Sequence, residues 1–104
     1  MCKKYLLGAL FIAFCCSVHA GKYCTETVTS LVTHKNGSVY FKTNKTCTNG
    51  WCKVNWDNSD SLNRAYSSML AARVGGNELT FYWPNISDCT EENETYSSPD
   101  SISL

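Results

Sequence analysis

The sequence predicts a small, mainly β domain with one helix, its elements ordered β-β-β-α-β with an optional fifth strand, stapled by disulfides. Three observations carry that prediction. Short runs of β-branched and aromatic residues are separated by turn residues, one stretch of apolar residues recurs at three- and four-residue spacing, and four cysteines follow an amino-terminal leader pattern. A chain of 104 residues holds one core and excludes a large multi-domain enzyme or an extended solenoid.

Residues 1–20 stand apart from the rest. Met1-Cys2-Lys3-Lys4 is a basic head, residues 5–16 (YLLGALFIAFCC) form an apolar core, and Val18 and Ala20 sit three and one positions before a cut at Gly21. This is the pattern of a secretory signal peptide, and its apolar core falls short of the roughly 20 residues a membrane-spanning helix needs. The expected location is therefore secreted or periplasmic, and the Lys3-Lys4 head with an asparagine-rich composition suits a bacterial export signal. A signal anchor is the alternative. A lipoprotein signal is disfavoured because Phe14 occupies the place of the small residue before Cys15. Residues 21–104 carry seven basic and nine acidic side chains with no basic stripe, which argues against nucleic acid as a partner.

The cysteines that remain are Cys24, Cys47, Cys52 and Cys89. An even number in a small exported domain points to two disulfides, each contributing about 2–4 kcal/mol. Zinc is the competing use, but intervals of 22, 4 and 36 residues do not make two close ligand pairs.

The elements follow in order. Residues 25–34 (TETVTSLVTH) read as a first strand, and Asn36-Gly37 turns it into a second, residues 38–43 (SVYFKT), because both turn residues tolerate positive φ. Alternation sends Val39 and Phe41 to one face and Tyr40 and Lys42 to the other. After the polar connection 44–51, Cys52, Val54 and Trp56 alternate in a third strand. Asp57, Asn58, Ser59 and Asp60 offer N-caps to a helix of about fourteen residues, whose stripe is Leu62, Ala65, Tyr66, Met69, Leu70 and Arg73 and whose stop is Gly75-Gly76. Residues 78–83 (ELTFYW) form the fourth strand, ended by Pro84. The expected division is a leader over 1–20, one domain over 21–90, and a polar acidic tail or weak edge strand over 91–104. With antiparallel pairing, this order describes an OB-like small barrel covered by one helix.

Little catalytic chemistry is on offer. His34 is the single histidine after residue 20 and reads as a solvated residue flanking the turn, while Asp57 and Asp60 serve the helix start. No phosphate loop, serine elbow or metal motif occurs, and disulfide formation removes the cysteine nucleophiles, so neither an enzyme nor a cofactor is expected. Four Asn-x-Ser/Thr sequons, at Asn36, Asn44, Asn85 and Asn93, would mark a heavily glycosylated small ectodomain in a eukaryotic chain and are accidental in a bacterial one. Aromatic residues, in contrast, are in surplus. Trp51, Trp56, Tyr40, Tyr82 and Trp83 exceed what one sheet face must bury, even with Trp56 and Trp83 placed in the core. Beside hydroxyls, amides and lysines, such rings suit planar contact with a sugar or a protein edge.

The runs Gly37-Ser38-Val39-Tyr40-Phe41, then Ala65-Tyr66-Ser67-Ser68-Met69-Leu70-Ala71-Ala72 with Gly75-Gly76, then Leu79-Thr80-Phe81-Tyr82-Trp83 with Cys89, resemble the small exported bacterial domains related to the B subunits of subtilase cytotoxin and typhoid toxin. The resemblance spans roughly residues 25–89. It implies an OB-like subunit that closes into a ring, commonly a homo-pentamer, binds sialylated or related host-cell glycans, and carries a separately encoded catalytic A subunit. Ser30 is the positional match to that family's sugar-site serine and Lys53 and Tyr82 stand as wall residues; Trp51, which beside Asn49-Gly50 reads either as core or as exposed or interface, is added from the aromatic surplus. The resemblance also implies pairing of Cys47 with Cys89, which leaves Cys24 with Cys52 as a pair additional to that family's pattern. Four cysteines allow three connectivities, however, and a Cys47 to Cys52 bond around Asn49-Gly50 is the strongest local alternative. The alternative function is an exported, non-catalytic interaction protein without a sugar site.

Overall fold

A computed structural model describes residues 21–104, so the leader expected over 1–20 lies outside the described residues. Within them the chain forms β1 (Lys22–Glu26), β2 (Val28–Thr33), β3 (Val39–Thr43), β4 (Cys52–Lys53), α1 (Ser59–Gly75), β5 (Leu79–Trp83) and β6 (Ser101–Ser103). The long first strand expected from its β-branched run is broken at Thr27, where Asn44 clamps the bend: its Oδ1 accepts from Thr27 N–H at 2.9 Å and its own N–H donates to Thr27 O at 3.0 Å. The two halves then enter different sheets, one ordered β1-β5-β6 and the other β2-β3-β4, every pair antiparallel.

Neither sheet closes, and the OB-like barrel is corrected accordingly to a mixed α+β fold with two open three-stranded sheets. The physical reason lies at β4. Only Cys52 and Lys53 are in register with β3, with one further bond from Val54 N–H to Val39 O at 3.0 Å, too few to carry a ladder onward. The far side of β4 is met by an irregular strap: Lys53 N–H donates to Ser97 O at 3.0 Å, Tyr96 N–H to Trp51 O at 2.6 Å, and Asn55 N–H to Ser98 Oγ at 2.9 Å. Pro99 then interrupts the strap, having no N–H to donate, and Trp56 Nε1 donates to its carbonyl at 2.8 Å. The strap becomes regular only as β6, on the edge of the other sheet. Residues 92–103 therefore span the gap between the sheets.

The helix forms where its periodicity puts it and runs for 17 residues. Asn58 caps its start by accepting from Ser61 N–H, and Gly76 ends it in the left-handed region at φ 72°, donating its N–H to Ala72 O. Ala65, Met69 and Ala72, spaced four and three apart, are its buried residues, whereas Leu70 and Arg73 of the expected stripe face solvent. Within the core, Phe41, Phe81 and Trp83 stack at centroid distances of 5.5, 6.2 and 5.6 Å. Burying each such ring contributes roughly 1.5–3 kcal/mol, which makes this trio the centre of the core.

The disulfides join Cys24 to Cys89 and Cys47 to Cys52. The pairing implied by the resemblance is thus replaced by the local one. Cys47 and Cys52 flank a four-residue loop, residues 48–51, while Cys24 on β1 reaches Cys89 beyond β5. Inside, the Glu26 carboxyl group is fully buried and accepts from the Thr43 hydroxyl, from Thr46 N–H and hydroxyl at 2.9 Å, and from Trp83 Nε1 at 2.8 Å. Asn93, of the fourth sequon, is only 5% exposed and donates its N–H to Thr46 O at 2.6 Å.

Candidate aromatic cleft on the second sheet

The outer face of the second sheet is set by strand alternation. Register pairs Ser30 with Lys42, Val32 with Tyr40, and Tyr40 with Lys53, and cross-strand partners point to the same side. The intervening pairs, Leu31 with Phe41 and Phe41 with Cys52, face the core. A bulge between Val28 and Ser30 makes this possible, because it shifts the phase of β2 and keeps both Val28 and Leu31 inward.

On that face Val32, His34, Tyr40, Trp51 and Tyr96 line a cleft of about 270 Å³. His34 and Tyr96 each meet the Tyr40 ring edge-on, at centroid distances of 4.9 and 5.5 Å. Lys42 Nζ lies 4.9 Å from the Trp51 ring centroid and Lys53 Nζ 5.7 Å from that of Tyr40, within cation–π range. The aromatic walls come from β3, the end of β2, the Cys47–Cys52 loop and the strap.

Tyr96 is held in place by the backbone. Its φ of 68° is a left-handed conformation that aromatic residues rarely adopt, at a cost of about 1–3 kcal/mol. The surroundings impose it. Tyr96 N–H is tied to Trp51 O, Ser97 N–H to Glu94 O at 3.0 Å, and the strap lies so close to the loop that a Cβ on Gly50 would stand 2.7 Å from Thr95 Oγ1.

Glu92 anchors the strap at its other end. Its carboxylate accepts from Thr48 N–H at 2.9 Å, Thr48 Oγ1 at 2.8 Å and Asn49 N–H at 2.9 Å. Burial works to raise the Glu92 pKa, but the hydrogen bonds from Asn49, Thr48 and Gly50 outweigh it and hold the group below its ordinary value. Asp88, near the second disulfide partner Cys89, is also lowered, chiefly by Thr90 N–H and hydroxyl, with Lys22 adding a smaller attraction.

The residues singled out from sequence divide between the sheets. Trp51 lines the cleft, Lys53 borders it over Tyr40, and Ser30 shares the same outer face opposite Lys42. Tyr82 lies on the other sheet, its ring 4.7 Å from that of Tyr23 and its backbone paired with Ser101. His34, read as a solvated turn residue, is exposed and also forms a wall of the cleft; its ring partner Tyr40 is six positions away in the hairpin, a proximity the Asn36-Gly37 turn encodes. Tyr96 had no signal in the polar tail, since its position depends on strap contacts with residues 48–51. Among the described residues no group of three or more His, Cys, Asp or Glu side chains is placed to hold a metal ion, and no helix is long and apolar enough to cross a membrane.

The chain matches no protein-family model, no curated protein and no solved structure. The toxin-subunit resemblance, and with it the glycan-binding role and the ring-borne catalytic partner, rested on a barrel and on family kinship. Two open sheets and the failure of any comparison to return that family correct the reading.

Proposed function

We propose that this protein is a non-catalytic interaction protein that engages a partner polypeptide through the aromatic cleft of the second sheet. One observation carries the reading: four rings from separate segments converge on an exposed face although the stacked Phe41, Phe81 and Trp83 already fill the core. Aromatic side chains contribute large contact area with few torsions to freeze, which is why they recur at binding surfaces. A strained Tyr96 completing that face fits a position kept for contact rather than for stability. The non-catalytic reading is supported by the disulfide use of Cys24, Cys47, Cys52 and Cys89 and by the edge-on seating of His34 on Tyr40. An exported location is part of the proposal, supported by the leader pattern of residues 1–20 and the two disulfides.

The test is a selection of random displayed peptides on the oxidised protein, followed by NMR mapping of each enriched peptide. Enriched peptides are expected to shift the Trp51 indole N–H and the amides around Tyr40 and Tyr96, and to lose binding to Trp51→Ala. Enrichment of peptides that map only to the Tyr23–Tyr82 face, or no enrichment, would overturn the reading.

A further inference from the structure

We infer that the cleft selects an acidic segment bearing one large apolar or aromatic side chain, the side chain entering between the rings and the flanking carboxylates meeting Lys42 and Lys53. The inference rests on the reading of the cleft as a partner site and names the chemistry of what enters it.

Charge is the first argument. Lys42 and Lys53 project from the same face of β3 and β4, and among the described residues neither has a carboxylate partner. Two acidic groups on the adjoining segments are committed elsewhere, Glu92 to the 48–49 amides and hydroxyl, and Glu26 to donors within the core. Two uncompensated cations therefore sit together on residues 21–104, a segment with more acidic than basic side chains. Such a local reversal of sign steers an anionic ligand to one place.

The rings supply the second argument, because they exclude the opposite ligand. Aromatic clusters commonly receive cations on their faces. Here Trp51 and Tyr40 each already carry a lysine ammonium from the same chain, so an incoming ammonium or guanidinium would meet two like charges and occupied π faces. An anion gains from the same arrangement. Each ammonium is held by its ring on one side and keeps N–H donors for a carboxylate on the other.

Size narrows the class further. A volume of about 270 Å³ lies just below the roughly 300–1,000 Å³ of pockets that enclose drug-sized ligands, and the cleft is open to solvent on one side. It suits a single anchoring side chain of an extended peptide, with neighbouring residues lying along the lysines.

Fluorescence anisotropy on the oxidised protein tests this with a labelled, capped peptide of sequence Asp-Glu-Phe-Pro-Asp-Glu. Two counterparts replace its acids by Asn and Gln, or its Phe by Ala. The acidic peptide is expected to bind at least tenfold more tightly than either counterpart, to weaken as salt is added, and to lose at least tenfold in affinity to the Lys42→Gln/Lys53→Gln double variant. The Lys42→Arg/Lys53→Arg variant, which keeps both charges, should bind within a few-fold of the parent. Equal binding of the acidic and amide peptides, both mapping to the cleft, would overturn the charge selection while leaving the partner site intact. No cleft binding by these peptides or by any selected peptide would remove the site itself. A mass that doubles with concentration in light scattering, blocked by Trp51→Ala, would show a second copy as the occupant and overturn the inference.

Discussion

Trp83 Nε1 donates to Glu26 Oε2 at 2.8 Å across 57 positions of sequence, placing a buried carboxyl group against the largest ring of the core. The contact links the first strand to the last residue of β5, and Thr43 at the end of β3 and Thr46 in the loop that follows it complete the set of donors. Glu26 thereby ties both sheets together at the point where the chain crosses from one to the other. Burying such a group without donors would be strongly unfavourable, so its partners are part of the fold's specification.

Glu26→Gln turns one accepting oxygen into an NH₂ donor facing donors. The variant is expected to lose about 1–3 kcal/mol, the cost of leaving buried groups unpaired, and Thr46→Val should lose less because the other donors remain. Urea unfolding at neutral pH measures both. A Glu26→Gln variant as stable as the parent would show that the cluster does not contribute to holding the sheets.

Glu92 makes the strap sensitive to acid. Its folded pKa is depressed, so its stabilising contribution is fully present above the ordinary glutamate range and is lost as pH falls through the lower folded value. Between neutral and acid pH the parent should lose more stability than Glu92→Gln, and the two urea midpoints should converge in the most acidic samples. Parallel curves over the whole range would show that the carboxylate does not anchor the strap.

The two disulfides should differ in worth. Loop-closure entropy assigns about 4 kcal/mol to a bond spanning 65 residues and about 2 kcal/mol to one spanning 5. Replacing Cys24 and Cys89 together by Ala is therefore expected to lower the thermal midpoint more than replacing Cys47 and Cys52. Peptide mapping under non-reducing conditions checks the connectivity directly, and recovery of Cys24 joined to Cys52 would contradict the fold described.

Tyr96 separates stability from binding. Tyr96→Gly removes an exposed ring and relieves a left-handed backbone, so folding stability should change by less than about 1 kcal/mol in either direction. Peptide binding at the cleft should fall at least tenfold, because the ring that meets Tyr40 is gone. Unchanged binding in a folded variant would take Tyr96 out of the site.

Much of the candidate site could be read from local pattern. Alternation through residues 38–43 placed Tyr40 and Lys42 on the face away from Phe41, whereas the flank of Asn49-Gly50 left Trp51 between core and surface, and it lines the cleft half-buried. Tyr82 shows the limit. Alternation correctly put it opposite Phe81, but period-two logic does not say which sheet a strand joins, and β5 pairs with β1 rather than with β3.

By itself, the sequence determined what neighbouring residues settle: the Asn36-Gly37 hairpin, the helix between a cap within residues 57–60 and a stop at Gly75-Gly76, the core-facing Phe41 and Phe81, and the opposite direction of Tyr40, Lys42 and Tyr82. These depend on backbone preference and periodicity, which act within a few residues. Tertiary structure alone decided the break at Thr27, the open sheets, the burial of Glu26 and the seat of Tyr96 in the cleft. Each of these rests on partners many positions away, Asn44 for the bend, Trp83 for the carboxyl group and Trp51 for the strap, so their free energy exists only once distant segments have met.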